Sequence, residues 1–191
     1  MDNFVLRLYD TLTPEMNKQV QDFRTSVPDM NCIVRTSEDE AKRFEKYCSD
    51  GDIYKWILVF EEDILIGMTV IFRRAIIYNK TQISLGGIGK VRVREDMRRK
   101  GIASRMMNKA MKQLFLAKCD IAFLSTNIDS FLAAYYQKFS FISLNKPYVF
   151  RGFSGTMYTG QNGMIAPICS KEIFQQILGT KETLDIGKGN W

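Results

Sequence analysis

The stretch "VRVREDMRRKGIASRMMNKAMKQL" (residues 91–114) joins alternating valines to an amphipathic segment through a basic loop that contains one glycine. Alternating valines favour a β-strand, and the apolar residues after Gly101 recur at helical spacing. A helix that starts just after a strand presents unpaired N–H groups and the positive end of its dipole at the strand's end. The stretch therefore predicts a strand–loop–helix unit with an anion site at its centre.

The loop has the composition of a phosphate cradle. Glycine at 101 has no β-carbon, and the small Ala103 keeps the same approach open, so a ligand can reach the backbone N–H groups. The flanking basic side chains are Arg98, Arg99 and Lys100. It is neither a Walker loop nor a dinucleotide fingerprint, since "GGIG" (86–89) lies within a predicted strand. The alternatives are a solvated basic turn and a nucleic-acid patch, although no RNA- or DNA-binding motif accompanies the charges.

Positive charge is concentrated in this unit. The chain of 191 residues has a net charge of +6, yet residues 90–118 contain ten Lys or Arg against two acids, a local charge of +8. The other residues contain 17 basic and 19 acidic side chains, a charge of −2. Charge confined to one segment indicates a local anionic ligand rather than general affinity for polyanions.

Composition sets the class of protein. Apolar residues make up 46% and charged residues 25%, as in ordinary globular domains, and the length fits one domain, predicted to span 1–191. Four scattered cysteines and the absence of histidine argue against a zinc site, a disulfide framework and a Ser-His-Asp triad. No signal peptide or membrane span is indicated. We predict a soluble cytoplasmic protein without metal, membrane or nucleic-acid partners.

Propensity and capping patterns predict the surrounding elements. A first helix has Thr13 as N-cap and Pro14 at its first position, and a second begins at Ser37, where Glu40 completes a capping box. Strands are predicted at 3–10, 54–62, 64–79, 80–93, 119–126 and 139–144, and further helices after Gly101 and at 130–138. The helix after Gly101 is expected to bury Ile102, Met106, Ala110, Met111, Leu114 and Phe115.

This order of elements is of the α+β class, with a mixed sheet. An antiparallel meander of strands two to four is followed by a crossover helix, which places strands four and five side by side and parallel. The start of a helix at the end of a central strand is where such sheets tend to bind ligands. From Lys146 onward the sequence is mixed and shows no clear pattern.

Residues 91–114 resemble motif A of the GNAT superfamily of acyl-CoA-dependent N-acetyltransferases. That motif has the form V-x-V, a short loop, and R/Q-x-x-G-x-G/A opening a helix, and the signature falls on Arg98, Gly101 and Ala103. The resemblance implies the GNAT fold: a mostly antiparallel central sheet, flanked by helices, whose parallel strands four and five splay apart to bind acyl-CoA.

A second segment supports the same resemblance. "AYYQKFSF" (134–141) is similar to the motif Y-x-x-x-G-F at Tyr136 and Phe141, with Ser140 where glycine is common. In the role that the resemblance implies, Tyr136 protonates the departing CoA thiolate, and a phenol with a pKa near ~10 is a reasonable donor for it. The alternative is that Tyr136 is only a core aromatic residue.

The resemblance also implies how acetyl-CoA, the acyl donor, is held. Backbone groups of Val91 and Val93 would pair with its pantetheine amides. The main-chain N–H groups of Arg99, Lys100, Gly101, Ile102, Ala103 and Ser104 would hold the diphosphate, and Arg98 is a candidate for the 3′-phosphate. Arg105 or one of the loop cations would meet the 3′-phosphate.

The general base stays open at this point. Strand four has no acid between Ile83 and Val93. The remaining candidates are Glu61, Glu62 or Asp63 at the end of strand two, the carboxylate of Trp191, or a water relay.

The C-terminal segments resemble a GNAT subgroup that includes aminoglycoside 2′-N-acetyltransferases. These segments are "NGMIAPI" (162–168) and "LDIGKGNW" (184–191). In that subgroup the C-terminal carboxylate helps to hold the cationic substrate, which implies a substrate-binding role for Trp191. The subgroup also carries an acid on the strand just before V-x-V, where this chain has Gly89 or Lys90.

The leading functional prediction is an N-acetyltransferase that moves an acetyl group from acetyl-CoA to a primary amine of a small molecule, with aminoglycosides among the candidates. One alternative keeps the chemistry and makes the acceptor a protein or peptide amine. Another is a non-catalytic, regulatory acyl-CoA-binding module. A homodimer is one option for the oligomeric state.

Overall fold

The computed structural model describes residues 4–27, 38, 42, 45–46 and 50–191. The strands are β1 (Phe4–Tyr9), β2 (Ile53–Glu61), β3 (Ile64–Tyr78), β4 (Thr81–Val93), β5 (Ile121–Ser125), β6 (Ile142–Ser143), β7 (Tyr148–Arg151), β8 (Met157–Gly160), β9 (Gly163–Pro167) and β10 (Leu184–Lys188). The helices are α1 (Pro14–Ser26), α2 (Ile102–Leu116), α3 (Phe131–Gln137) and α4 (Lys171–Gly179). None of these helices is both long and apolar enough to cross a membrane.

Seven strands form one mixed sheet in the order β1-β2-β3-β4-β5-β9-β6. Strands β1 to β4 are an antiparallel meander, β4 and β5 are parallel, and β9 is antiparallel to both of its neighbours. The predicted mixed sheet with parallel strands four and five is therefore confirmed. Residues 145–191 supply β9 and a separate three-stranded sheet, β10-β7-β8, which hydrophobic patterning did not resolve.

Local capping signals predicted α1 correctly. The Thr13 side chain accepts a hydrogen bond from the N–H of Met16, and Pro14 is the first helical residue. The helix predicted from Ser37 to Glu40 and beyond lies outside the described residues, apart from four helical positions. These are Glu38, Lys42, Glu45 and Lys46.

Two predictions about the second half of the chain, one on a helix and one on a strand, were wrong in detail. The side chain of Phe115 is 60% exposed, because it lies on the side of α2 away from the sheet, and Met107 and Gln113 are buried instead. The strand expected at 139–144 shrinks to Ile142–Ser143, because the preceding residues form the turn that ends α3.

The core has one apolar cluster on each face of the large sheet. The cluster under α2 and α3 contains Ile88, Leu124 and Tyr136. The opposite cluster, under α1 and α4, contains Phe72 and Trp191. Both clusters meet at β4 and β5, so these two strands are held from above and below.

Adjacent glycines in β4 allow close packing on both faces. A Cβ added at Gly86 would lie 2.6 Å from the side chain of Leu114 in α2, and one at Gly87 would lie 2.0 Å from the Trp191 indole. The "GGIG" segment therefore serves helix and indole packing within a strand, as its position in the sequence indicated.

Candidate active site

The central feature is an opening between β4 and β5. The two strands pair at only three positions, from Leu85 with Ile121 to Gly87 with Phe123. Beyond them β4 continues to Val93 bonded only to β3, and β5 continues bonded only to β9. One edge of β4 is therefore free in a strand that lies in the middle of the sheet.

Backbone groups of Val91 and Val93 point into this opening. The N–H of Arg94 donates to the carbonyl of Ile66 in β3 at 2.9 Å. Since successive backbone groups of an antiparallel strand face opposite sides, Val93 and Val91 face away from β3. This edge thus offers the N–H groups of Val91 and Val93 and the carbonyl of Val91 to an extended ligand, while the Val93 carbonyl accepts from the Arg98 side chain.

A β-bulge lies at the start of the opening. Met68 and Val70 on β3 pair with Arg92 and Gly89 on β4, so β4 has one extra residue there. Lys90 in the bulge has φ 56°, a left-handed conformation that a non-glycine residue seldom adopts. Bulges of this kind redirect side chains and end pairing, and sequence patterning did not reveal this one.

The bulge has two consequences for the site. The extra residue shifts the alternation of β4, so Val91 and Val93 pack on the same face as Ile88, under α2. The carbonyl of Gly89 turns toward β3 and accepts a hydrogen bond from the buried Thr69 hydroxyl at 2.9 Å. Thr69, which was not among the predicted site residues, thereby holds the bulge in place.

The first turn of α2 differs from that of the other helices that the structure describes. Helices α1, α3 and α4 are each capped by a hydroxyl side chain, that of Thr13, Ser130 and Ser170 respectively. The N-cap of α2 is Gly101, which has no side chain to accept from the helix. The first α-helical hydrogen bond runs from the N–H of Arg105 to the carbonyl of Gly101, at 3.0 Å. The N–H groups of the preceding three residues are left to an external acceptor.

Space in front of this turn fits a diphosphate. Gly101 has φ 79°, and a Cβ added there would meet nothing within 4 Å. Arg99 is also left-handed, with φ 63°. N–H groups, helix dipole and open space together are what a phosphate group requires. The backbone around Gly101 therefore has the features that a diphosphate of acetyl-CoA would need, and the binding residues remain a prediction.

The basic side chains of the loop differ in their contacts. Arg98 donates to the carbonyl of Val93 at 3.4 Å, and the guanidinium of Arg105 lies 4.6 Å from the centre of the Phe4 ring. Arg99 and Lys100 are exposed beside Gly101. Among the predicted cations, these two lie nearest to the cradle along the chain and face solvent.

Helix α3 carries Tyr136, which is buried on the α2 side of the sheet. Its side chain is 9% exposed and belongs to the apolar cluster of Ile88 and Leu124, the residues that follow the last β4–β5 pairs. Phe141 packs against it edge to face, with ring centroids 6.2 Å apart. Tyr136, the predicted proton donor, therefore lies in the apolar cluster that covers this face of the sheet under α2 and α3.

Ser140 keeps the backbone conformation that glycine would provide. It has φ 66°, and the N–H of Phe141 reaches back to the carbonyl of Tyr136 at 3.4 Å. Such left-handed residues commonly end helices. The departure from Y-x-x-x-G-F therefore leaves the turn after α3 intact.

The acetyltransferase (GNAT) domain family matches residues 17–142. The chain belongs to this family. None of the curated protein sequences matches it.

Solved structures share the GNAT fold at low sequence identity. The GCN5-related N-acetyltransferase from Kribbella flavida is 17% identical over 77% of this chain and 35% of that chain, with a TM-score of 0.53. The ribosomal-protein-S18-alanine N-acetyltransferase from Escherichia coli is 10% identical over 86% and 94%, with a TM-score of 0.55. A GNAT family acetyltransferase from Brucella melitensis, in complex with acetyl-CoA, is 14% identical over 73% and 84%, with a TM-score of 0.53. This chain thus spans about a third of the Kribbella protein.

The acidic side-chain candidates for a base in this GNAT domain lie toward the Val93 end of the opening, away from the bulge at Gly89. Gly89 pairs with Val70, and Val70 pairs with Trp56 of β2. Glu61 is five residues further along β2, roughly 16 Å away at the rise of a strand, and its carboxylate lies 3.5 Å from the guanidinium of Arg94. Glu62 and Asp63 form the exposed turn beyond it.

Trp191 lies on the opposite face of β4 at the level of the opening. Its indole stacks on Phe72, with centroids 5.3 Å apart and planes 10° apart. A Cβ added at Gly89 would lie 3.3 Å from the main-chain carbonyl carbon of Trp191. The structure therefore places the predicted substrate-binding residue beside the bulge of this GNAT sheet.

Arg74 holds Trp191 in this position. Its guanidinium lies 4.2 Å from the centre of the indole and donates to the carbonyls of Ile186 and Gly189. Its second nitrogen donates to Asp52 at 2.8 Å. Burial lowers the pKa of Arg74, and the Asp52 carboxylate acts against that shift. Neither residue was predicted, since contacts so distant in sequence leave no local pattern.

Other polar features lie apart from the opening. A cavity of about 520 Å³ at the far end of the β3–β4 hairpin is lined by Arg73, Gln82, Ser84 and Asp120, among others, and contains none of the predicted residues. Among the residues that the structure describes, no three His, Cys, Asp or Glu side chains are grouped to hold a metal ion.

Proposed function

We propose that this GNAT domain is an acetyl-CoA-dependent N-acetyltransferase whose acceptor is a primary amine of a small molecule. The observation that supports it is the meeting of two unusual backbone features. A helix without a side-chain cap begins at Gly101, just past a central strand whose edge is free from Ile88 to Val93. The first feature suits a diphosphate, and the second suits the two amides of a pantetheine arm.

In this proposal the protein binds the donor mainly through its backbone. Val91 and Val93 pair with the pantetheine amides, as one strand pairs with another. The N–H groups of Ile102, Ala103 and Ser104 bind the diphosphate, and Arg99 or Lys100 meets the 3′-phosphate. The thioester then lies near the bulge, at the inner end of the opening.

The chemistry is a direct acyl transfer. The amine nitrogen forms a bond to the thioester carbonyl carbon, and the carbon–sulfur bond breaks. An N–H of β4 near Val91 stabilises the negative charge that develops on the carbonyl oxygen. The sulfur takes a proton from the hydroxyl of Tyr136, and the proton of the amine leaves to water or to another base.

Replacing Tyr136 by phenylalanine tests whether its hydroxyl is the general acid that protonates the CoA thiolate. We expect kcat to fall about 100-fold, at the lower end of the effect of general acids, because the thiolate of CoA is itself a fair leaving group. Binding of acetyl-CoA, measured by calorimetry, should be unchanged. Tyr158→Phe, in β8, is the matched control and should keep full activity. Thiol release by Tyr136→Phe at the wild-type rate would remove Tyr136 from this role.

The charge of Lys90 affects which amines can serve as the acceptor. The subgroup that acetylates aminoglycosides has an acid before V-x-V, whereas β4 has no acid at all and Lys90 stands in the bulge, with its ammonium 5.8 Å from the centre of the Phe72 ring. Beside the main-chain carboxylate of Trp191, β4 itself gives a polycation no side chain of opposite charge and adds the repulsion of Lys90. We therefore place neutral or carboxylate-bearing amines ahead of aminoglycosides.

A spectrophotometric thiol-release screen with acetyl-CoA tests both points. The panel contains aminoglycosides, polyamines, amino acids and peptide amines. With Lys90→Glu, we expect the ratio of kcat/KM for polycationic over carboxylate-bearing amines to rise roughly tenfold, which corresponds to about 1.4 kcal/mol of charge interaction. Lys112→Glu changes the charge equally on the exposed side of α2 and should leave the ratio unchanged.

The same screen separates the alternatives. Turnover only on peptide amines would support a protein or peptide acceptor, the acceptor class named for the Escherichia coli neighbour. CoA binding without turnover on any amine would support a non-catalytic acyl-CoA-binding module. Absence of any affinity for acyl-CoA would overturn the proposal.

A further inference from the structure

Two consecutive tyrosines on α3 point in different directions. Tyr136 is buried in the apolar cluster, whereas the side chain of Tyr135, one helical position earlier, reaches toward the first turn of α2. Its ring packs edge to face on Tyr136 and on Phe139, with centroids 5.3 Å apart in both pairs. The ring of Tyr135 therefore has a defined place next to the diphosphate cradle.

The hydroxyl of Tyr135 ends in a polar position without a good partner. Its oxygen is buried and has no hydrogen-bond partner of standard geometry, yet the Ser104 hydroxyl is near enough to act on the pKa of Tyr135, lowering it against the effect of burial. Burial raises the pKa of Tyr135, so the phenol keeps its proton at neutral pH and is a donor. A buried hydroxyl that lacks a partner is unfavourable, and such groups in native proteins call for an explanation.

Ser104 can supply the missing partner when the cradle is filled. A serine hydroxyl rotates freely, accepting at its lone pairs while it donates through its own proton. Without an anion, the proton of a serine at this position can turn to the carbonyl three residues earlier, that of the N-cap Gly101. When an anion lies in front of α2, the Ser104 proton can turn to it, and the oxygen then accepts from Tyr135.

We propose that Tyr135 is a positioning residue that orients the Ser104 hydroxyl toward the diphosphate of the donor. This inference rests on the proposed function, because it assumes that a diphosphate occupies the cradle. It also links the two motifs physically. The helix that carries Tyr136 senses occupation of the α2 terminus through the tyrosine next to it.

Calorimetry on four proteins tests the link: wild type, Tyr135→Phe, Ser104→Ala and the double variant. Each is titrated with CoA, with 3′-dephospho-CoA and with pantetheine, which lacks the diphosphate. We expect each single variant to bind CoA and 3′-dephospho-CoA about fivefold more weakly and pantetheine as wild type does. The double variant should be no weaker than either single one, because both changes remove the same interaction. Ser104→Thr, which keeps the hydroxyl, should retain wild-type affinity.

Thermal unfolding of the free proteins separates positioning from a structural role. Tyr135→Phe removes a buried hydroxyl that lacks a partner, so the free variant should unfold at the same temperature as wild type or higher. A merely structural tyrosine would lower that temperature and weaken CoA and pantetheine alike.

Each remaining outcome is decisive. Wild-type affinity of Tyr135→Phe for CoA, or additive losses in the double variant, would overturn the inference and leave the proposed function standing. If wild type binds neither CoA nor 3′-dephospho-CoA, the proposed function fails, and this inference fails with it.

Discussion

Valine in place of Gly101 is expected to lower the affinity for CoA at least about 100-fold while the protein stays folded. In the free protein a Cβ at this position meets nothing within 4 Å, so the substitution creates no clash. Its own cost is the left-handed backbone at φ 79°, about 1–2 kcal/mol for a residue with a β-carbon. The valine methyl groups would fill the space that we assign to the diphosphate, so CoA loses its main backbone contacts.

Gly155 provides a matched control for the backbone strain. It has φ 91°, and a Cβ there also meets nothing within 4 Å, but it lies between β7 and β8, away from the opening. Gly155→Val should therefore lower stability by a similar amount and leave CoA binding intact. Calorimetry and thermal unfolding of both variants give the comparison. Equal CoA affinity in Gly101→Val and wild type would show that the donor is not held at the start of α2.

Methionine in place of Arg74 is expected to lower the free energy of unfolding by about 3–5 kcal/mol, the usual result of breaking a buried charged network. The Arg74 side chain is 6% exposed. It donates hydrogen bonds to the Asp52 carboxylate and to the carbonyls of Ile186 in β10 and of Gly189 just after it. Without it these acceptors lose their donor, and the Trp191 indole loses its cation. At roughly 2–4 °C per kcal/mol for a domain of this size, the melting temperature should fall by about 10 °C.

The neighbouring Arg73 is the control for this change. It is exposed, and its Nε donates a long hydrogen bond of 3.4 Å to the Ser84 hydroxyl. Arg73→Met should change stability by less than about 0.5 kcal/mol, as surface substitutions usually do. Urea unfolding of the two variants measures the difference. Similar stabilities would mean that the C-terminal segment does not depend on Arg74.

Elements with strong local signals were predictable. Thr13 and Pro14 mark the start of α1 in any context, because capping depends on residues within one turn. The alternation in β4 and the helical spacing after Gly101 have the same local origin. The order of these elements then determines that strands four and five are parallel, since a helical crossover leaves few other arrangements.

Features that depend on distant contacts were not predictable. Phe115 was assigned to the core because its type is apolar, yet only the direction from which α2 meets the sheet decides which side is buried. Lys90 carries no sign of a bulge, because the extra residue is defined by the register against β3. Ser140 gives no sign that it adopts the conformation usual for glycine.

The sequence alone determined the family resemblance, the strand–loop–helix unit at 91–114 and the glycine at which a phosphate can approach, because each is encoded within a few adjacent residues. The tertiary structure decided that β4 parts from β5 after Gly87, that Trp191 packs against β4 at that level, and that Tyr135 reaches Ser104. These are meetings of segments far apart in the chain. Their geometry follows from packing between elements, and no local pattern records it.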